Sequence, residues 1–160
     1  MRLARSTGLG RALFVILVAV AVSVTTGSAL GACMVSASSI NFGSYATLKS
    51  GTITTVGTVA YTCTGPVPAG IKILLGPGHA GTVARRVMVA GGSKLRYILS
   101  LDPYGRVPWG DGSAGTEVYF QRNPPRNKPV TIQVYGHILP DQPVAPNQLY
   151  RDDVSVLAFY

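Results

Sequence analysis

Val154-Ser155-Val156-Leu157-Ala158-Phe159-Tyr160 is the stretch that decides how this chain folds. Val154, Val156, Ala158 and Tyr160 recur at every second residue, the period of a β-strand. Leu157 and Phe159, on the other face, are apolar as well. A strand apolar on both faces calls for cover on both faces and for pairing along both edges. The stretch closes the sequence, so the expectation is a strand whose far edge no later segment covers.

Working back from it, the same alternation recurs in Val130, Ile132 and Val134, in Leu95, Tyr97, Leu99 and Leu101, in Ile71, Ile73 and Leu75, and in Val59, Tyr61 and Cys63. Val87 with Val89 and Val118 with Phe120 are shorter pieces. Val35 to Phe42 reads as a first strand with Ile40 and Phe42 on one face. Gly65-Pro66, Gly76-Pro77-Gly78, Gly91-Gly92, Asp102-Pro103-Tyr104-Gly105 and the proline-rich loop from Asn123 to Pro129 break these runs. Seven or eight short strands with regular turn signals and no helical period predict an all-β sandwich. No internal repeat and no interdomain linker is visible.

The start of the chain has a different grammar. Arg2, Arg5 and Arg11 precede an apolar run from Ala12 to Val24 and then the small residues Thr25-Thr26-Gly27-Ser28-Ala29. Basic, apolar, small is the order of a signal peptide. The apolar run is about a dozen residues, short of the roughly 20 that span a bilayer. Residues 1–29 are therefore read as a removed leader, with cleavage after Gly31 as the other acceptable position, and residues 30–160 as one domain. Loss of the three leader arginines takes the formal charge from +8 to +5. At an exported address that balance points away from nucleic acid and toward a solvated basic face. No transmembrane segment is expected in the mature chain.

Cys33 and Cys63 are the only cysteines. An even count in an oxidising compartment argues for one disulfide. Closing a loop of about 30 residues is worth on the order of 3–4 kcal/mol. Leu30-Gly31-Ala32-Cys33 also resembles a lipobox, in which Cys33 is lipidated and Cys63 is left as a free thiol. Both readings stand at this stage.

No constellation carries catalysis. His79 and His137 are the only histidines, each beside a glycine in a loop-like context, and a metal site needs more ligands than they provide. No Gly-x-Ser-x-Gly elbow occurs, and the glycine-rich run from Gly76 to Gly81 lacks the Gly-Lys-Ser/Thr of a phosphate loop. Glu117 is the only glutamate, and Asp102 and Asp111 fall in loops. The expectation is a chain without enzymatic activity, cofactor or metal. Arg122, Arg126 and Lys128 form a small basic loop, and Trp109 reads as a core aromatic.

The fragments resemble a known family in their order and spacing. Cys33 is followed by Phe42-Gly43-Ser44-Tyr45, Tyr61-Thr62-Cys63, Arg86-Val87-Met88, Leu95-Arg96-Tyr97, Trp109-Gly110-Asp111-Gly112, Tyr135-Gly136-His137-Ile138 and Tyr150-Arg151-Asp152. Together they resemble the spore coat protein U domain, shared by subunits of archaic chaperone–usher pili. The resemblance implies an incomplete immunoglobulin-like sandwich lacking its last strand, which a partner strand completes; chaperone–pilin complementation is a named example of that mode. It implies a periplasmic chaperone, an outer-membrane usher and other pilus subunits as partners. It implies passage through the periplasm to the cell surface or an extracellular fibre, with structural or adhesive work in cell adhesion and biofilm. The acceptor groove is expected along Val154, Val156, Leu157, Ala158, Phe159 and Tyr160.

One departure from the pattern matters. A polymerising subunit needs an extension of roughly 10 residues ahead of its first cysteine. Cleavage after Ala29 leaves Leu30, Gly31 and Ala32. The expectation is a subunit that accepts a strand without giving one. The alternative is a secreted or lipid-anchored coat or binding protein of the same fold outside any pilus.

Overall fold

The computed structural model describes residues 32–45, 51–145 and 147–160. The leader at 1–29 and both cleavage positions lie outside the described residues. Eight strands follow in chain order: β1 Ala32–Ala37, β2 Ile53–Thr64, β3 Ile71–Leu75, β4 Arg86–Ala90, β5 Ser93–Ser100, β6 Tyr119–Gln121, β7 Val130–Ile138 and β8 Val156–Phe159. They form a five-stranded sheet in the order β1-β2-β7-β5-β4 and a three-stranded sheet in the order β6-β3-β8. Pairing is antiparallel throughout both sheets. No helix occurs among the described residues. The architecture is an immunoglobulin-like sandwich.

Alternation explains the core. Val59, Tyr61 and Cys63 of β2 face inward with Leu95, Tyr97 and Leu99 of β5 and Ile132 and Val134 of β7, and meet Ile71, Ile73 and Leu75 of β3. Burying side chains of this size contributes roughly 1.5–3 kcal/mol each. Trp109 is fully buried among them, and its indole N–H donates to the Ile73 carbonyl at 2.9 Å. Cys33 lies opposite Cys63 in the β1–β2 register, and the two sulfurs are bonded. The bridge ties the edge strand β1 to its neighbour β2, near the C-terminal end of β2.

The first strand is shorter than the sequence predicts. It leaves the ladder after Ala37, because the Ser38 hydroxyl takes the Thr58 N–H at 2.8 Å while the Ser38 N–H still reaches the Thr58 carbonyl. From there the chain turns inward, and Ile40 and Phe42 lie over glycines of the large sheet. A Cβ on Gly57 would stand 2.5 Å from Ile40, and one on Gly136 would stand 2.7 Å from Phe42. β2, in contrast, runs well upstream of Val59, held by nine register pairs with β7. His137, expected in a loop, belongs to β7 and is buried beneath Gly105.

The segment before β8 changes sheets. Arg151 exchanges both backbone hydrogen bonds with Val89 on the outer edge of β4, at 2.9 and 3.1 Å. Five residues later the chain is paired to β3, with Val156 opposite Leu75 and Phe159 opposite Lys72. The crossing is pinned by Asp152, which accepts the His79 N–H at 2.7 Å and the Tyr97 hydroxyl at 2.6 Å.

Candidate strand-acceptor site

β8 is hydrogen-bonded to β3 on one side. Among the described residues nothing pairs with its other edge. β1, β4 and β6 also end their sheets; the edge of β8 borders an opening into the core, which Ala37 of β1 and Met88 of β4 line as well. That opening is a cavity of about 400 Å³. Val154 and Val156 line it together with Ile40 and Phe42. Its floor consists of core side chains, among them Val59, Leu99 and Val134 of the large sheet and Leu75 of β3. Ser38, Ser39 and Asp152 give it a polar margin.

A second hollow, of about 870 Å³, shares Ile40, Phe42, Tyr150 and Arg151 with the first and extends past Leu95 and Ile138. Phe42 is common to both and meets the Tyr97 ring edge-on, with centroids 5.6 Å apart. Tyr150 is held by its hydroxyl, which donates to Ser93 Oγ at 2.6 Å.

The arrangement suits strand addition. An unpaired strand edge offers a row of N–H and C=O groups, and the apolar cavity beside it offers seats for alternate side chains. Leaving such backbone groups dry and unpaired costs about 1–3 kcal/mol each. A strand laid between β8 and the segment at 37–42 satisfies the edge and fills the cavity together.

The predicted groove residues divide between two faces. Val154, Val156 and Ala158 are half-buried and packed on the core. Leu157, Phe159 and Tyr160 are about half exposed, at 50%, 55% and 52%. Leu157 and Phe159 share the outer face of the small sheet with Phe120, which Lys72 approaches at 6.0 Å. Leu157, Ala158, Phe159 and Tyr160 do not line the cavity.

The remaining motif residues resolve into local roles. Gly43 has φ 70° and donates its N–H to the Asn41 side chain. The Tyr45 hydroxyl accepts from the Gln142 N–H at 2.8 Å. Gly110 is pressed against Thr116, where a Cβ would stand 2.4 Å from the hydroxyl oxygen, and Gly112 adopts φ 87°. Asp111 accepts from the Ser113 hydroxyl and N–H, and these bonds hold its carboxyl below the usual value. The Tyr135 hydroxyl donates to Gln133 on the exposed face of β7. Gly136 makes room for Phe42. Arg122, Arg126 and Lys128 are all exposed.

Sequence reasoning missed the role of Arg86. Its side chain is fully buried and donates through Nε to the Gly76 carbonyl and through Nη2 to those of Leu75 and Trp109, at 2.8 to 3.1 Å. Burial lowers its pKa, and nearby Tyr97, Asp152 and Asp111 oppose that. Arg86 thus fixes the end of β3 beside the cavity. The signal in the sequence was an arginine on the inward parity of a strand, opposite Tyr97.

Among the described residues no cluster of three or more metal-ligating side chains occurs. His79 is exposed in the loop after β3, on a different element from His137. No helix among the described residues is long and apolar enough to cross a membrane.

The Spore Coat Protein U domain family matches residues 17–157. The chain belongs to that family. The fold is also similar to a crystal structure of the CsuC–CsuE chaperone–tip adhesion subunit pre-assembly complex from the archaic chaperone–usher Csu pili of Acinetobacter baumannii. The TM-score is 0.57 at 19% sequence identity. The likeness covers 82% of this chain and 40% of that one, so this chain spans less than half the length of its structural neighbour. No curated protein matches it.

Proposed function

We propose that this family member is a structural or adhesive subunit of a chaperone–usher surface pilus, completed by a strand from another polypeptide. The observation that carries the reading is the edge of β8, paired on one side and bordering a cavity floored by core residues. The described neighbour, a pilus subunit captured with its chaperone, supports it. In this account residues 1–29 direct export. A periplasmic chaperone then supplies a strand, and at the outer-membrane usher a neighbouring subunit replaces it.

The subunit takes a strand and does not give one. Ala32 is already paired to Thr64, and Cys33 is bonded to Cys63. With cleavage after Ala29, what precedes Cys33 is three residues, far short of the ~17–20 Å of a typical strand. A fibre would stop at such a subunit, which places it at an end.

The test mixes the purified subunit, released from chaperone, with a conventional pilin of the family that carries an extension. The expected product is a heterodimer in which the pilin's extension is buried in this subunit. Insertion of this subunit's own N-terminus into the pilin overturns the acceptor-only assignment. A soluble, monomeric yield that is the same with and without a periplasmic chaperone favours the coat-protein alternative.

A further inference from the structure

We propose that the strand seated beside β8 and continuing past its start carries a hydrogen-bond-donating side chain abreast of Asp152, at one end of a run of inward apolar residues at alternate positions. This rests on the strand-acceptor reading above and specifies the chemistry of the occupant.

From Asp152 to Ala158 the even-numbered residues are half-buried and the odd-numbered ones are exposed. Asp152, Val154, Val156 and Ala158 therefore present one face. Residues 152–155 lie ahead of β8, so a neighbouring strand that continues past its end, with the same period of two, sets one inward side chain beside each of these residues. Val154 and Val156 line the cavity and Ala158 continues the same apolar face beyond it. Asp152, the fourth, is a carboxylate.

Asp152 lines the cavity together with Tyr97. Its Oδ1 accepts the His79 N–H and its Oδ2 accepts the Tyr97 hydroxyl. Each carboxylate oxygen can accept a second bond. The carboxylate is also boxed in, since a Cβ on Gly78 would lie 2.1 Å from Oδ2. The Tyr97 hydroxyl keeps its proton, because burial raises its pKa, and so it remains committed to Asp152.

An apolar side chain closing over this corner would strip water from the carboxylate and offer nothing in return. A hydroxyl would supply the missing donor. Asp153 and Arg151 also border the cavity, and buried Arg86 lies close enough to respond to the charge of Asp152. With Arg86 and Arg151 already balancing Asp152 and Asp153, a neutral donor such as threonine matches the corner better than a lysine.

The probe is a synthetic peptide of about ten residues, with valine at each inward position and polar residues outward. A set of variants replaces one inward valine at a time by threonine, which has the same shape. The full chain is refolded with each labelled peptide, and binding is read by fluorescence anisotropy. Threonine weakens binding about tenfold at apolar seats, where its hydroxyl finds no partner. At one terminal inward seat it binds as well as valine or better. Tyr97→Phe frees Oδ2 and increases the preference for threonine at that seat. Asp152→Leu reverses it; should that variant not fold, Tyr97→Phe decides alone. Peptides that bind but lose affinity to threonine at every seat overturn the inference and leave the acceptor reading intact. So does a tolerant seat whose preference Tyr97→Phe leaves unchanged. Failure of every peptide to bind overturns the acceptor reading itself.

Discussion

The Phe42 ring lies against the backbone of Gly136, so close that a Cβ there would stand 2.7 Å from the ring. This contact turns the segment after β1 into a wall of the cavity. Gly136→Ala forces the ring or the strand to shift, at a cost of about 1–3 kcal/mol. The same substitution in a Phe42→Ala background is close to neutral, because the two residues are directly coupled. A double-mutant cycle by chemical denaturation, with the subunit held by a completing strand, measures the coupling. An equal cost in both backgrounds would contradict the packing described.

Arg86 holds three backbone carbonyls at the edge of the core. Arg86→Met removes all three donors and leaves those carbonyls dry, at roughly 1–3 kcal/mol for each group. Arg86→Lys does not rescue, since a lysine is a point charge without the planar fork that reaches all three. Thermal unfolding of the two variants, expected to be similarly destabilised, checks this.

The Cys33–Cys63 bridge closes a separation of 30 residues. Replacing both cysteines by serine is expected to lower stability by about 3–4 kcal/mol. Mass spectrometry of the mature protein should show this bond and no lipid on Cys33. A diacylglyceryl cysteine there would return the chain to the lipoprotein reading.

Asp102 provides a pH dependence with a definite sign. Partial desolvation would raise its pKa, but the N–H groups of Tyr104 and Val107, the Ser100 hydroxyl and Arg106 outweigh it and bring the value below 3.8. A carboxyl with a depressed folded value stabilises the fold fully above its unfolded value. That contribution is lost as pH falls from about 3.8 through the lower folded value. Denaturation midpoints measured from pH 7 down to pH 3 should decline at the acid end, and Asp102→Asn should flatten the decline. Identical acid limbs would show that other carboxylates dominate.

Much of this molecule is legible in its residues. Alternation alone locates β3, β5, β7 and β8, because each buries one face and period two then marks the strand. The same rule misleads at Ile40 and Phe42. Their spacing fits a strand, yet they leave the ladder to fill the room above Gly57 and Gly136, which lie far along the chain. Non-local space of that kind leaves no local pattern. Val156 and Leu157 look equally apolar in sequence, and only the β3 register separates the residue that lines the cavity from the one on the outer face. The contacts of Asp152 are hidden for a related reason. Its partners, Tyr97 and the His79 N–H, come from two other elements.

Hydrogen exchange along residues 154–159 tests the open edge most directly. The subunit is compared in complex with a periplasmic chaperone and after the chaperone is stripped away. Amides of β8 that point away from β3 should be protected in the complex and exchange rapidly once it is removed. Equal protection in both states, or a change confined to β1, would mean that β8 is not where another chain completes this sandwich.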